Sequence, residues 1–136
     1  MNLANKKKGQ SSVEFVLIAS VMFLVFLGMF AVIQGRLTGA YKNRLYNSMT
    51  ELSNVVATEI RLAGSFNDYY SREFYIPYVV SGYEYSISLQ NQNEIVISSE
   101  DLSYVLFLDI NVSGDIDKGI NLINKTDDNI TITNFG

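Results

Sequence analysis

The chain has 136 residues, which is enough for one small domain and one extended segment but not for two independent hydrophobic cores. It contains no cysteine and no histidine. This composition excludes disulfide bonds, catalytic thiols and zinc sites built from cysteine or histidine. It also excludes histidine as a general base. Since the sequence also lacks a phosphate-binding glycine loop, we expect a structural or binding protein and no enzyme.

The formal net charge of −4 is unevenly distributed along the chain. Residues 1–9 carry three lysines and no acid, whereas residues 65–136 carry eleven acids against three bases. An acidic C-terminal region of this kind repels a phosphate backbone, so nucleic acid is not an expected partner.

The first long feature is an apolar run from Phe15 to Ile33, which reads FVLIASVMFLVFLGMFAVI and holds no charge over nineteen residues. At about 1.5 Å per residue a helix of this length extends roughly 28 Å, close to the thickness of a bilayer core. The apolar region of a cleaved secretory signal is shorter, about 7–15 residues. The run therefore predicts a transmembrane helix, and an ordinary signal anchor is the plain alternative.

The polar flank before this run combines a short basic segment, a glycine and a motif that ends in one acid. In order, its residues are Lys6, Lys7, Lys8, Gly9, Gln10, Ser12 and Glu14. The segment resembles the class III signal peptide of archaeal type IV pilins, in which Gln-x-Ser-x-Glu-x-x-x-Leu follows a basic leader that ends in glycine. Ile18 stands where that pattern has leucine, which is a conservative departure.

The resemblance implies that a membrane-bound prepilin peptidase cuts between Gly9 and Gln10, before the apolar segment. Loss of the leader, residues 1–9, would take the formal net charge from −4 to −7. For Glu14 the resemblance implies an assembly role, in which the carboxylate pairs with the new amino terminus of a neighbouring subunit. The alternative for Glu14 is a position at the level of the lipid headgroups, where a charge costs little.

Apolar residues recur at the helical period after the apolar run. They are Leu37, Tyr41, Leu45, Met49, Leu52, Val56, Ile60 and Ala63. This stripe predicts that one helix covers residues 10–64, with residues 10–36 as a transmembrane or filament-core half and residues 37–64 as an amphipathic half. Gly64 is predicted to end the helix.

Residues 65–136, which we call the head, alternate between apolar and polar side chains. The pattern predicts strands at Phe74–Val80, Tyr83–Leu89, Glu94–Ser98, Ser103–Val112 and Ile130–Phe135. So few strands cannot cover both faces of a sheet alone, so one face must bury itself against the helix. The predicted fold class is α+β, with a small antiparallel β-sheet head packed on the C-terminal half of the helix, as the pilin resemblance also implies.

One stretch of the head has the ligand spacing of a calcium loop. Its oxygen-bearing residues are Asp109, Asn111, Ser113, Asp115 and Asp117, with Gly114 at the sixth position. The twelfth position, which should be an acid, is Ile120, so the match is partial. The end of a strand followed by a polar turn explains the same residues. Ca²⁺ is therefore a weak prediction, and no other cofactor is expected.

Three Asn-x-Ser/Thr sequons occur in the head, at Asn111, Asn124 and Asn129. Composition alone gives about two such sequons, so their number carries no argument. Because the head is expected to lie outside the cell, these three asparagines are candidate acceptors for N-glycosylation.

These features together favour a structural subunit that is processed before Gln10, held in the membrane, and then assembled into an extracellular surface filament for adhesion. The expected partners are copies of the same chain, the prepilin peptidase, and the pilus assembly ATPase with its membrane platform. A minor pilin or an archaellin-like motility subunit is a variant of this hypothesis. The alternative from another class is an anchored binding or sensor protein that keeps residues 1–9 and recognises a partner with its head.

Overall fold

The computed structural model describes residues 3–100 and 102–136, with side chains described from Gly9 onward. The fold is α+β, as predicted. Helix α1 runs over Leu3–Ser65 and is followed by the strands of the head. The chain divides into two compact units, one that ends at Tyr41 and one that comprises Lys42 to Gly136. The second unit thus includes the last third of α1 as well as the head.

The described part of the head contains more strands than the alternation predicts. They are β1 Tyr69–Ile76, β2 Val79–Val80, β3 Tyr83–Glu84, β4 Ser86–Gln90, β5 Glu94–Ser99, β6 Leu102–Phe107, β7 Val112–Gly114, β8 Gly119–Thr126 and β9 Asn129–Asn134.

The strands form three sheets instead of the single antiparallel sheet that was predicted. A four-stranded sheet has the order β1-β8-β9-β7, a three-stranded sheet has the order β4-β5-β6, and β2 pairs with β3 alone. Strand pairing is antiparallel except between β7 and β9, which are parallel. The prediction of an antiparallel head is therefore right for most of the pairing and wrong for this one edge.

The alternation of apolar and polar residues does not predict strand β8, although β8 lies inside the four-stranded sheet. Its inward positions include Asn121 and Lys125, which are both buried, whereas Ile120 points outward and is 46% exposed. In most strands the buried positions are apolar and the exposed positions are polar. In β8 this alternation is partly inverted, so the sequence pattern that predicts a strand is lost. The polar side chains are tolerated inside because each one finds hydrogen-bond partners.

Two of the predicted strands are interrupted in the structure. The stretch 74–80 divides into the end of β1 and β2 at Pro77, which has no N–H to donate to a ladder. The stretch 103–112 divides into β6 and the beginning of β7, with Leu108 to Asn111 as the connection. The amide of Leu108 still donates in register to the carbonyl of Asn93 at 2.7 Å, and the next such bond to this turn comes from the amide of Val112, which donates to the carbonyl of Gln92 at 2.7 Å.

The predicted apolar stripe of the helix is confirmed from Leu45 onward. Its members in the second unit are at most 8% exposed: Leu45, Met49, Leu52, Val56, Ile60 and Ala63. They form one core with buried strand residues that include Ile76, Ile97, Ile123 and Ile132. Leu37, which the stripe also included, is 60% exposed and belongs to the first unit.

Gly64 does not end the helix as predicted, since α1 continues to Ser65. A Cβ at Gly64 would lie 2.5 Å from Cδ1 of Ile110, so the end of the Ile110 side chain would have to move to admit a larger residue. The helix end is capped instead by Lys125, whose buried ammonium donates to the carbonyl of Gly64 at 3.2 Å and to the carbonyl of Phe66. A cation at this position compensates the free carbonyls at the helix C-terminus.

Candidate processing and assembly segment

The helix passes directly through the predicted cleavage bond between Gly9 and Gln10. The backbone is helical from Leu3 and shows no break at the predicted boundary between leader and helix, and the processing at this boundary stays a prediction. A protease must hold its substrate extended, so cutting here requires the first turns of α1 to unwind. Gly9 lowers the cost of that step, because glycine weakens a helix by about 1 kcal/mol relative to alanine.

The described residues of the motif are all exposed. These are Gly9, Gln10, Ser12, Glu14 and Ile18. Lys6, Lys7 and Lys8 belong to α1 by their backbone, and their side chains lie outside the described part. The described residues of the motif are thus all accessible at the start of the helix.

Helical spacing places Gln10 and Glu14 on one face of α1, with Ser12 on the other side. The positions one turn before and after Glu14 hold Gln10, Ser11, Leu17 and Ile18, none of which is basic. Within the described residues the ion pairs join Arg61 to Asp109 and Arg72 to Glu59, and neither involves Glu14. The Glu14 carboxylate therefore has no cationic neighbour on its own stretch of helix.

The apolar run that follows the motif is exposed along its length. Its large side chains range from 46% exposed at Leu27 to 72% exposed at Phe15. The helix is long and apolar enough to cross a membrane, with a window of mean hydropathy 2.9 of which none is buried. Such a surface is stable only if lipid or another apolar surface covers it.

Two hydroxyl groups of the helix within the first unit donate hydrogen bonds to backbone carbonyls of the preceding turn. Ser20 Oγ donates to the carbonyl of Val16 at 2.7 Å, and Thr38 Oγ1 donates to the carbonyl of Gln34 at 3.1 Å. Hydroxyls that bond back to the preceding turn can enter an apolar environment without losing a water partner. The sequence has one acid between Gln10 and Thr50, which is Glu14 at the edge of the apolar run.

The structure does not give the predicted calcium loop the wrapped backbone that such a loop needs. Val112 to Gly114 form an extended strand, in which Ser113 Oγ donates to the carbonyl of Ile130 at 3.2 Å. Asp109 faces Arg61 at 3.8 Å, and Asp117 Oδ1 accepts from the amide of Lys118 at 2.7 Å. Among the residues described, no group of three or more acidic side chains is placed to hold a metal ion. The calcium site stays a prediction that the geometry does not favour.

The three sequons differ in their surroundings. Asn111 and Asn129 are exposed, whereas Asn124 is half-buried and its Oδ1 accepts a hydrogen bond from Ser71 at 2.6 Å. A glycan on Asn124 would have to break this bond, so Asn111 and Asn129 are the accessible acceptors. Whether a glycan is attached stays a prediction.

Comparison of the chain with family models, with curated proteins and with solved structures gives no match.

Proposed function

We propose that the chain is a structural subunit of an archaeal type IV pilus-like surface filament, made as a precursor and processed between Gly9 and Gln10. The observation that supports this most directly is the arrangement on α1 of the Gln10, Ser12 and Glu14 motif immediately before an uncharged, fully exposed run. An anchor needs only the apolar run. The motif in front of it, with glycine at the cutting position, is typical of a prepilin peptidase substrate.

The exposed run suits two environments in succession. In the membrane its side chains face lipid, which is as apolar as they are. In a filament the same side chains bury one another when the helices of several copies bundle. The acidic head, with eleven acids in residues 65–136, keeps the assembled surface soluble, and adhesion is the output we propose for it.

Glu14 is the residue through which we expect assembly to depend on processing. A carboxylate that is taken from the headgroup region into a helix bundle is expensive unless a cation meets it. Cleavage after Gly9 creates a new amino terminus four residues before Glu14, and a neighbouring copy can present that terminus to the carboxylate. Uncleaved chains have no such terminus at this level, so only processed subunits should assemble.

We expect Glu14→Gln to be processed normally but to be missing from filaments. The change keeps the size of the side chain and removes the charge, so a neighbouring amino terminus would be buried without a partner, at a cost of about 3–5 kcal/mol. The measurement compares the chain in the membrane fraction with the chain in material sheared from the cell surface. Glu51→Gln is the matched control, since Glu51 is an exposed glutamate on the same helix outside the apolar run.

An unprocessed Glu14→Gln chain would show that Glu14 serves peptidase recognition instead of assembly. Normal release of the variant by shear would contradict the assembly role altogether.

A further inference from the structure

The side of α1 that the head leaves uncovered carries an open groove between Asn47 and Glu59. The volume of this groove is about 500 Å³. Glu51, Val55 and Glu59 line it at steps of four residues, so they lie on one face of the helix. Val55 is 51% exposed, so two acids flank one exposed apolar side chain.

Glu59 has a hydrogen-bonding capacity that its own copy of the chain does not use. Its side chain is 16% exposed, and its Oε2 lies 3.6 Å from Nη1 of Arg72, which is outside hydrogen-bond distance. Within the described part of the chain this buried oxygen accepts no hydrogen bond. Charged donors make the strongest hydrogen bonds to a carboxylate, and a guanidinium can offer two N–H groups at once. The groove therefore fits a cationic partner.

The basic residues of the chain divide into those that have a partner in the same copy and those that make no ion pair there. Of the ten lysines and arginines, three lie in residues 1–9, which leaves seven after processing. Arg61 and Arg72 pair with acids, and Lys125 caps α1. Lys118 Nζ lies 5.7 Å from the centroid of the Tyr85 ring. The other three are exposed and make no ion pair among the described residues. They are Arg36, Lys42 and Arg44.

Two of these three cations match the two acids of the groove in spacing. Arg36 and Arg44 are eight residues apart, as are Glu51 and Glu59, and no other pair of basic residues in the processed α1 has this spacing. We propose that the segment 36–44 of a second copy occupies the groove, with Arg36 against Glu51 and Arg44 against Glu59. The inference rests on the proposed filament and adds to it the register of two neighbouring helices.

The same pairing determines the direction and the axial shift of the two helices. In the proposed filament all copies leave the membrane by the same end, so their helices run parallel. Arg36 lies 15 residues before Glu51, which shifts one helix along the other by about 22 Å. At this shift Ala40 faces Val55, and a small residue at the centre of the contact lets the two helices approach closely.

The contact is heterologous, because the basic segment and the groove are different parts of the helix. Each copy can therefore present its segment to one neighbour and accept the segment of another, and repetition of such a contact gives an open filament. Charge complementarity of this kind fixes register more than it adds affinity. Loss of one exposed pair, as in Glu51→Gln, leaves the other pair and the apolar run in place, so that variant still enters filaments.

The register can be tested by a disulfide between copies, since the chain has no cysteine of its own. Ala40→Cys and Val55→Cys are combined in one full-length chain. Facing residues of helices packed about 8–10 Å apart come within reach of a disulfide. We expect mild oxidation of sheared filaments to give a ladder of linked multimers. The control combines Ala40→Cys with Leu62→Cys, because Leu62 is 37% exposed on the same helix but lies roughly 10 Å beyond Val55.

A charge exchange tests the pairing without thiols. Arg36→Glu sets two acids against each other at the contact, so we expect less chain in the sheared material. Adding Glu51→Arg to the same chain restores opposite charges and should restore the amount released. Lys42→Glu is the control, since Lys42 is an exposed cation of the same segment but lies off the helix face that Arg36 and Arg44 share.

The outcomes separate this register from the filament itself. The register is overturned if filaments form but the pair at Ala40 and Val55 links no better than the pair at Ala40 and Leu62. It is also overturned if the exchange of Arg36 and Glu51 releases no more chain than Arg36→Glu alone. If the unchanged chain gives no filaments at all, the proposed function fails and this inference fails with it.

Discussion

Replacing Gly114 by alanine is expected to lower the free energy of unfolding of the head by about 2–6 kcal/mol. Gly114 has a φ of +103°, and a Cβ there would lie 2.0 Å from the carbonyl oxygen of Ile132. That oxygen belongs to the backbone of β9 and accepts the amide of Asp115 at 3.0 Å, so it cannot move aside without breaking the β7–β9 edge. Positive φ costs a non-glycine residue about 1–3 kcal/mol, and overpacking adds about 1–3 kcal/mol.

The combined loss is a large share of the roughly 5–15 kcal/mol that stabilises a typical domain. It can be measured by denaturant unfolding of the full-length protein in detergent, followed through near-ultraviolet circular dichroism of the head tyrosines. Gly82→Ala is the matched control, because Gly82 also has a positive φ, +81°, but has nothing within 4 Å of the added Cβ. Equal stability of the two variants would contradict the close approach of β7 to β9.

A charge in the middle of the apolar run should remove the chain from the membrane. Leu24 lies at the centre of Phe15–Ile33 and is 67% exposed, so the change Leu24→Arg puts a guanidinium where lipid is expected. Arginine at the centre of a membrane helix costs about 2.5–3.5 kcal/mol. Since 1.4 kcal/mol is a factor of ten, about a hundredfold less chain should resist alkaline carbonate extraction.

The control for this experiment is Leu37→Arg. Leu37 is the same residue type on the same helix with a similar exposure of 60%, but it lies beyond the apolar run and next to Arg36. We expect Leu37→Arg to remain in the membrane like the unchanged chain. If both variants are extracted alike, or if neither is, the run does not act as a membrane segment.

The parts of the fold that could be predicted are those in which local periodicity and tertiary burial agree. The stripe from Leu45 to Ala63 has helical spacing because one face of α1 is buried, so the same signal appears in the sequence and in the structure. Strand β8 could not be predicted because its buried positions hold Asn121 and Lys125, which have partners only after folding. Asn121 Nδ2 donates to the carbonyl of Asp117 at 2.7 Å, and Lys125 caps α1.

Gly114 has a different structural role from the one that the sequence predicted. Its position within Asp109–Asp117 predicted the turn of a calcium loop, but the structure places it in a parallel strand that passes against β9. A glycine is required at this position because of the close approach of Ile132, which is distant in sequence and cannot be recognised from the neighbouring residues.

The candidate segment could be proposed from the sequence alone because its residues lie close together along the chain, and its role stays a prediction. The resemblance depends on the order of four residues along the chain, which folding does not alter. These are Gly9, Gln10, Ser12 and Glu14. What the sequence could not provide is the helical state of the bond to be cut, since the backbone of α1 continues through it. The processing that we propose would therefore include unwinding of the helix at Gly9.

The most direct test of the filament proposal is the N-terminal sequence and intact mass of the chain recovered from sheared cell-surface material. We predict a chain that begins at Gln10, or at its cyclised form, and that lacks the mass of residues 1–9. A chain that begins at Met1 and is found only in the membrane fraction would contradict the proposal and would leave an anchored binding protein in its place.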